Sequence, residues 1–185
     1  MEALTDHSLV SKCYEILRDF LFANSDMVRI SSDELTIPVD RSKLEKDYAE
    51  AGHTGPLPNV VNTFIEKLNS LNSDLVRKAE EIHDMPIVVN GEYSTEKMLF
   101  HVYDYRLSNG VKDFLLMGHV LRGWIDNFQL IAPEFYKGQE LIGFYAHSEN
   151  YVYLWLSEHQ KKEFEKFGFI FDKTEWVNCE KVYKK

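Results

Sequence analysis

The sequence predicts a single α+β domain in which N-terminal helices pack on a mainly antiparallel sheet. Three observations carry this reading. Helical apolar spacing is concentrated before His83, alternation and Asn-Gly turn signals dominate after Pro86, and 44% hydrophobic residues in a chain of 185 suffice for one full core. The expected division is residues 1–58 as helix, small hairpin and long loop, and residues 59–185 as long helix plus sheet.

Residues 8–22 place Leu9, Cys13, Ile16, Leu17 and Phe20 on one face of a helix, with Thr5 or Asp6 as its cap. Residues 27–30 and 34–39 alternate apolar and polar around Ser31-Ser32-Asp33. They read as a hairpin that Pro38 confines to a sheet edge. Residues 41–58 are polar and carry Gly52, Gly55, Pro56 and Pro58, so a long loop is expected, with one helical turn near Leu44 and Tyr48. Over residues 59–83 apolar side chains from Val61 to Ile82 recur every three or four positions, which predicts one long helix burying Leu68 and Leu75.

The period then changes. Ile87, Val88 and Val89 precede Asn90-Gly91, and Phe100, Val102, Tyr103 and Tyr105 precede Asn109-Gly110. Asn-Gly suits a type I′ hairpin turn because both central positions need positive φ. Residues 111–131 fit a helix by spacing, yet the preceding Asn-Gly and two internal glycines, each costing about 1 kcal/mol in a helix, favour strands to about Trp124. Strands follow at 141–147 and 151–156, then a helix at 158–167 closed by Gly168 and a last strand or strand pair within 169–183.

Thirty acidic residues against 21 basic give a net charge of −9, which opposes broad adhesion to nucleic-acid backbones or anionic membranes. Cys13 and Cys179 have no zinc-ligand spacing, the start lacks a secretory signal pattern, and no apolar run could span a bilayer. A soluble cytoplasmic protein with reduced thiols is expected, with no membrane role.

Several residues are candidates for chemistry. His53, between Gly52 and Thr54-Gly55, could present a general acid or base from a loop, and His101 and His119 could face each other across a hairpin as a proton-transfer pair. Phe144, Tyr145, Tyr151, Tyr153 and Trp155 alternate along a hairpin, where outward rings would bind a partner.

The run Phe114-Leu-Leu-Met-Gly-His-Val-Leu-Arg-Gly-Trp-Ile-Asp126, followed by Phe128, Ala132, Phe135 and Lys137-Gly138, resembles a late strand pair of the PD-(D/E)XK nuclease-like superfamily. That resemblance, over about residues 111–156, implies an acid and a following (D/E)xK that hold Mg²⁺ for phosphodiester hydrolysis. The matching residues are Glu92, then Asp104-Tyr105-Arg106. Arg106 stands where lysine is expected and stays protonated, which suits a degenerate scaffold.

Three classes of function follow. The first is a non-catalytic acidic interaction protein, an inhibitor or regulator of a partner that itself binds nucleic acid, working without a cofactor. The second is a Mg²⁺-dependent nucleic-acid phosphodiesterase with Glu92 and Asp104 as metal ligands, and the third a small-molecule or nucleotide enzyme using histidine. The acidic balance and the missing lysine place the first ahead of the second.

Overall fold

The structure, a computed structural model, describes residues 2–5, 12–33, 36–89, 92–116, 130–146 and 151–171. Among the described residues seven strands form one sheet: β1 (Glu2–Thr5), β2 (Met27–Ser32), β3 (Leu75–Val89), β4 (Glu92–Arg106), β5 (Leu130–Lys137), β6 (Glu140–Ala146) and β7 (Tyr151–Leu154). Their order is β1-β7-β6-β5-β2-β4-β3, and every neighbouring pair is antiparallel. The helices are α1 (Lys12–Asn24), α2 (Arg41–Glu50), α3 (Asn59–Ser70), α4 (Asn109–Leu116) and α5 (Glu158–Lys166). The α+β class predicted from sequence is what the chain adopts.

One sheet face carries the core. Val28, Ile30, Tyr103, Tyr105, Phe135 and Leu154 are buried there, in one cluster with Leu17 and Leu21 of α1, Phe64 and Leu68 of α3, Phe114 of α4 and Phe164 of α5. Each helix supplies an apolar stripe at three- and four-residue spacing, and burying that stripe on the sheet is what stabilises it. The helix over 158–167 is realised as α5, opened by a capping box between Ser157 and Gln160 and followed by Gly168 at φ 87°.

Four expectations are corrected. Residues 27–39 are not an edge hairpin: β2 lies inside the sheet between β4 and β5, and the backbone of the following segment is satisfied by side chains. Ile37 N–H donates to Tyr103 Oη at 2.6 Å, and Val39 exchanges hydrogen bonds with the Asn69 amide at 2.8 and 3.2 Å. Residues 41–50 are a three-turn helix rather than loop, because Asp40 caps it by accepting from Ser42 and Lys43 N–H.

The third correction concerns residues 59–83. The helix stops at Ser70, a 3₁₀ turn runs over Leu71–Asp74, and the chain continues as β3. Leu68 is buried as expected, whereas Leu75 is half-buried. The fourth is α4, where two strands were expected. Ser108 starts this helix by offering Oγ to Val111 N–H at 3.3 Å and its carbonyl to Lys112 N–H at 2.9 Å, so Asn109-Gly110 opens a helix instead of turning a hairpin. The other Asn-Gly pair lies between Val89 and Glu92, which face each other across β3 and β4. Residues 117–129 and 172–185, where further strands were expected, lie outside the described residues.

The β3–β4 pair outgrows the sheet. β2 pairs only with His101–Arg106 of β4, so among the described residues 92–100 and their β3 partners 81–89 run on as a two-stranded arm of about 30 Å.

Candidate functional site

The sheet face opposite the core carries a row of charged residues, one per strand. The registers Arg77↔Asp104, Arg29↔Asp104 and Arg29↔Glu134 align β3, β4, β2 and β5, and Phe144 and Tyr153 continue the row onto β6 and β7. Successive side chains of a strand point to opposite faces, so these residues share one face while Val28, Tyr103, Tyr105 and Phe135 point to the core.

Asp104 sits at the centre, with 4% of its side chain exposed. Arg29 Nε donates to its Oδ1 at 2.7 Å and Nη2 to its Oδ2 at 3.2 Å, a forked pairing, while Arg77 Nη1 reaches Oδ2 at 3.3 Å. Arg29 Nη1 lies 3.9 Å from Glu134 Oε2, which also accepts from Tyr136 Oη at 2.5 Å. The Arg29 guanidinium stands 5.2 Å from the centroid of the Tyr136 ring. Beyond Arg77 the chain of contacts runs to Glu81 at 2.9 Å, from Glu81 to His83 at 3.3 Å, and from the His83 ring to Phe100 at 5.4 Å.

The protonation states follow from these neighbours. Burial raises the Glu134 carboxyl above its ordinary value, opposed by the Tyr136 hydrogen bond and the Arg29 charge. Burial first, and then the Glu134 charge, push the Tyr136 phenol up, so it remains a donor. The hydrogen bond to Asp104 raises Arg29, and the one to Glu81 raises Arg77. Two guanidiniums face three carboxylates. Arg29, Asp104, Glu134 and Tyr136 are occupied with each other, so the arrangement works as an electrostatic clamp across four strands.

The sequence singled out Asp104 but not Arg29, Arg77, Glu81, Glu134 or Tyr136. One signal was present: Arg29 interrupts Met27-Val28-Arg29-Ile30 at an alternating position, and a charge there in a central strand requires a partner.

The other candidates are dispersed. Glu92 and Asp104 lie on one extended strand, twelve positions and about 40 Å apart, so β4 does not bring them to a common metal. Arg106 is exposed at the far end of β4, opposite Met27. His53 is exposed in the loop after α2 and stacks on Tyr48 with ring centroids 4.4 Å apart. His101 faces the core side with its Nδ1 3.6 Å from Glu80, too long for a hydrogen bond, and His119 lies outside the described residues. Among the described residues no three His, Cys, Asp or Glu side chains are grouped to hold a metal.

Of the aromatic hairpin, Tyr153 is buried at 1% exposure and stacks on Phe144 at 5.1 Å, so its ring is closed to a partner. Trp155, 6.0 Å from Phe144, is 40% exposed, and the side chains of Tyr145 and Tyr151 lie outside the described residues.

The arm is a second surface. Residues 92–97 are all exposed, Tyr93 at 89%, and Ile82 and Leu99 stand opposite each other with 68% and 45% of their surface open. Four carboxylates and one lysine accompany them over residues 81–89 and 92–100. No helix of the described residues is long and apolar enough to cross a membrane. Compared with protein-family models, with curated proteins and with solved structures, the chain matches none.

Proposed function

We propose that this chain is a non-catalytic interaction protein that engages a basic partner protein through the β3–β4 arm, restraining or regulating that partner. The supporting observation is the combination on the arm of an exposed apolar pair, Ile82 and Leu99, an almost fully exposed Tyr93 on the same face, and three carboxylates, Glu81, Glu92 and Glu96, on the other. Interfaces draw most of their energy from a few apolar or aromatic anchors, whereas surface charge mainly accelerates encounter and selects a partner of opposite sign. A protein whose basic face binds nucleic acid has the chemistry that the arm would meet, and an acidic arm occupying that face would compete with the nucleic acid.

The experiment isolates interactors on the immobilised full chain, then measures binding of the purified partner to wild type, Tyr93→Ala, Leu99→Ser and Trp155→Ala at low and high salt. The reading expects a loss of tenfold or more for Tyr93→Ala and Leu99→Ser, and an association rate that falls as salt rises. Full affinity in both arm variants, or binding lost only with Trp155→Ala, would overturn it.

A further inference from the structure

β3 is the last strand of the described sheet, and among the described residues its outer edge has no partner strand. A long open edge is a template for another strand and is ordinarily blunted or covered. Here it is fifteen residues long, with a register shift at Val76 and Pro86 bounding a regular stretch over residues 77–85, in which Ile82 is 68% exposed. Its sequence says what would fit it.

Suppose that the edge pairs with a second copy of itself, antiparallel, about a two-fold axis perpendicular to the sheet. Directly opposite residues must then share a face, so the axis passes through one residue that faces its own copy. Axes through Lys78, Glu80 or Glu81 set like charges against each other, and one through Ile82 sets Glu80 against Asp84. Axes through His83 or Met85 avoid like charges but set no opposite charges across the seam, and the axis through Ala79 does. It places Lys78 opposite Glu80 and Arg77 opposite Glu81, each twice by symmetry.

The side chains are disposed for this exchange. Arg77 and Glu81 lie on one face and already bond each other within the strand at 2.9 Å, with 46% and 29% of their side chains exposed. On the opposite face Glu80 has 64% of its side chain open, and Lys78, exposed at the edge, donates Nζ to the Ile37 carbonyl at 2.9 Å, a bond it would exchange for Glu80 of the other copy. Ala79, between them, is small enough for two copies to approach at the axis. Opposite charges directly across a ladder stabilise pairing, and like charges oppose it.

We infer that the chain forms a two-fold dimer by antiparallel pairing of β3 edges, with Ala79 on the axis and Arg77–Glu81 as the paired segment. The two sheets join into one, and the two arms leave the junction in opposite directions with Tyr93 and Leu99 still free. The dimer stands independently of what those arms bind.

Sedimentation of the full chain across concentration tests it, together with Glu80→Lys and the charge swap Lys78→Glu/Glu80→Lys. The expected result is a dimer whose dissociation constant rises about tenfold in Glu80→Lys, where lysine 78 would face a lysine, and returns in the swap. A second measurement is oxidative crosslinking in a Cys13→Ser/Cys179→Ser background. Ala79→Cys should give a disulfide-linked dimer, because paired Cα atoms about 4.5–5.5 Å apart suit a disulfide, and Ile82→Cys should not. A chain that stays monomeric into the millimolar range would overturn the inference. So would a dimer indifferent to both charge variants, or equal crosslinking at positions 79 and 82.

Discussion

Arg29 and Asp104 stand directly opposite each other on β2 and β4, and the guanidinium grips both carboxylate oxygens at 2.7 and 3.2 Å. This pair joins residues 75 positions apart in sequence, on the sheet face opposite the cluster that α1, α3, α4 and α5 cover.

Removing Asp104 takes from Arg29 and Arg77 their shared, nearly buried counter-charge and leaves Arg29 to the more distant Glu134 at 3.9 Å. Asp104→Ala should destabilise by about 2–4 kcal/mol, below the full value for a buried pair because Arg29 keeps some access to water. The double variant Arg29→Met/Asp104→Leu should recover most of that loss, and urea unfolding of the three proteins measures it.

Glu134 gives a pH signature. Its carboxyl is raised in the folded state, chiefly by burial, so the native protein holds that proton more tightly than the unfolded chain. The stability it contributes is present below the ordinary carboxylate value and is lost as pH rises through the higher folded value. Glu134→Gln removes this titration. Variant stability minus wild-type stability should therefore climb with pH across that window and then level off, which urea midpoints at a series of pH values would show.

Burial separates two apolar residues that helical spacing treats alike. Leu68→Ala, at 0% exposure, should cost about 2–5 kcal/mol. Ile82→Ser, on the arm, should change stability by no more than about 0.5 kcal/mol, and thermal or urea unfolding distinguishes them.

Gly143 marks a close approach of β6 to β7 and α1. A Cβ there would meet Leu154 Cδ2 at 2.7 Å, the Tyr153 carbonyl at 2.9 Å and Leu21 Cδ2 at 3.0 Å. Gly143→Ala should cost about 1–3 kcal/mol, since one of the contacts is backbone that cannot yield cheaply. Its unfolding curve against that of wild type is the check.

Those same faces explain how much of the fold was legible. α1 and α3 each bury one stripe on one surface, so Leu17, Phe64 and Leu68 announce themselves by spacing, whereas Leu21 of α1 and Phe164 of α5 join the same core without having been singled out. β3 did not, because its half-buried face holds Arg77, Ala79, Glu81 and His83 and meets the charged row of the sheet. A strand between a polar face and solvent has no apolar alternation to read. Meanwhile Leu71, Leu75, Ala79 and Ile82 happened to prolong the period of α3, and the boundary at Ser70 was hidden. The clamp was hidden for a related reason. Arg29, Asp104 and Glu134 meet only after three distant strands are ordered side by side, and nothing local in any of them fixes that order.

The two-stranded arm has a consequence for how the molecule opens. Within β4, His101–Arg106 is flanked by β2 and β3, whereas among the described residues 92–100 pair with β3 alone, and an isolated pair of strands is marginal in water. Amide hydrogens toward the tip should exchange with solvent through brief local fraying, and those of Val102 to Tyr105 only when the whole domain unfolds. A protease would accordingly trim the ribbon while leaving the remaining fold intact, so one continuous strand spans two regimes of protection.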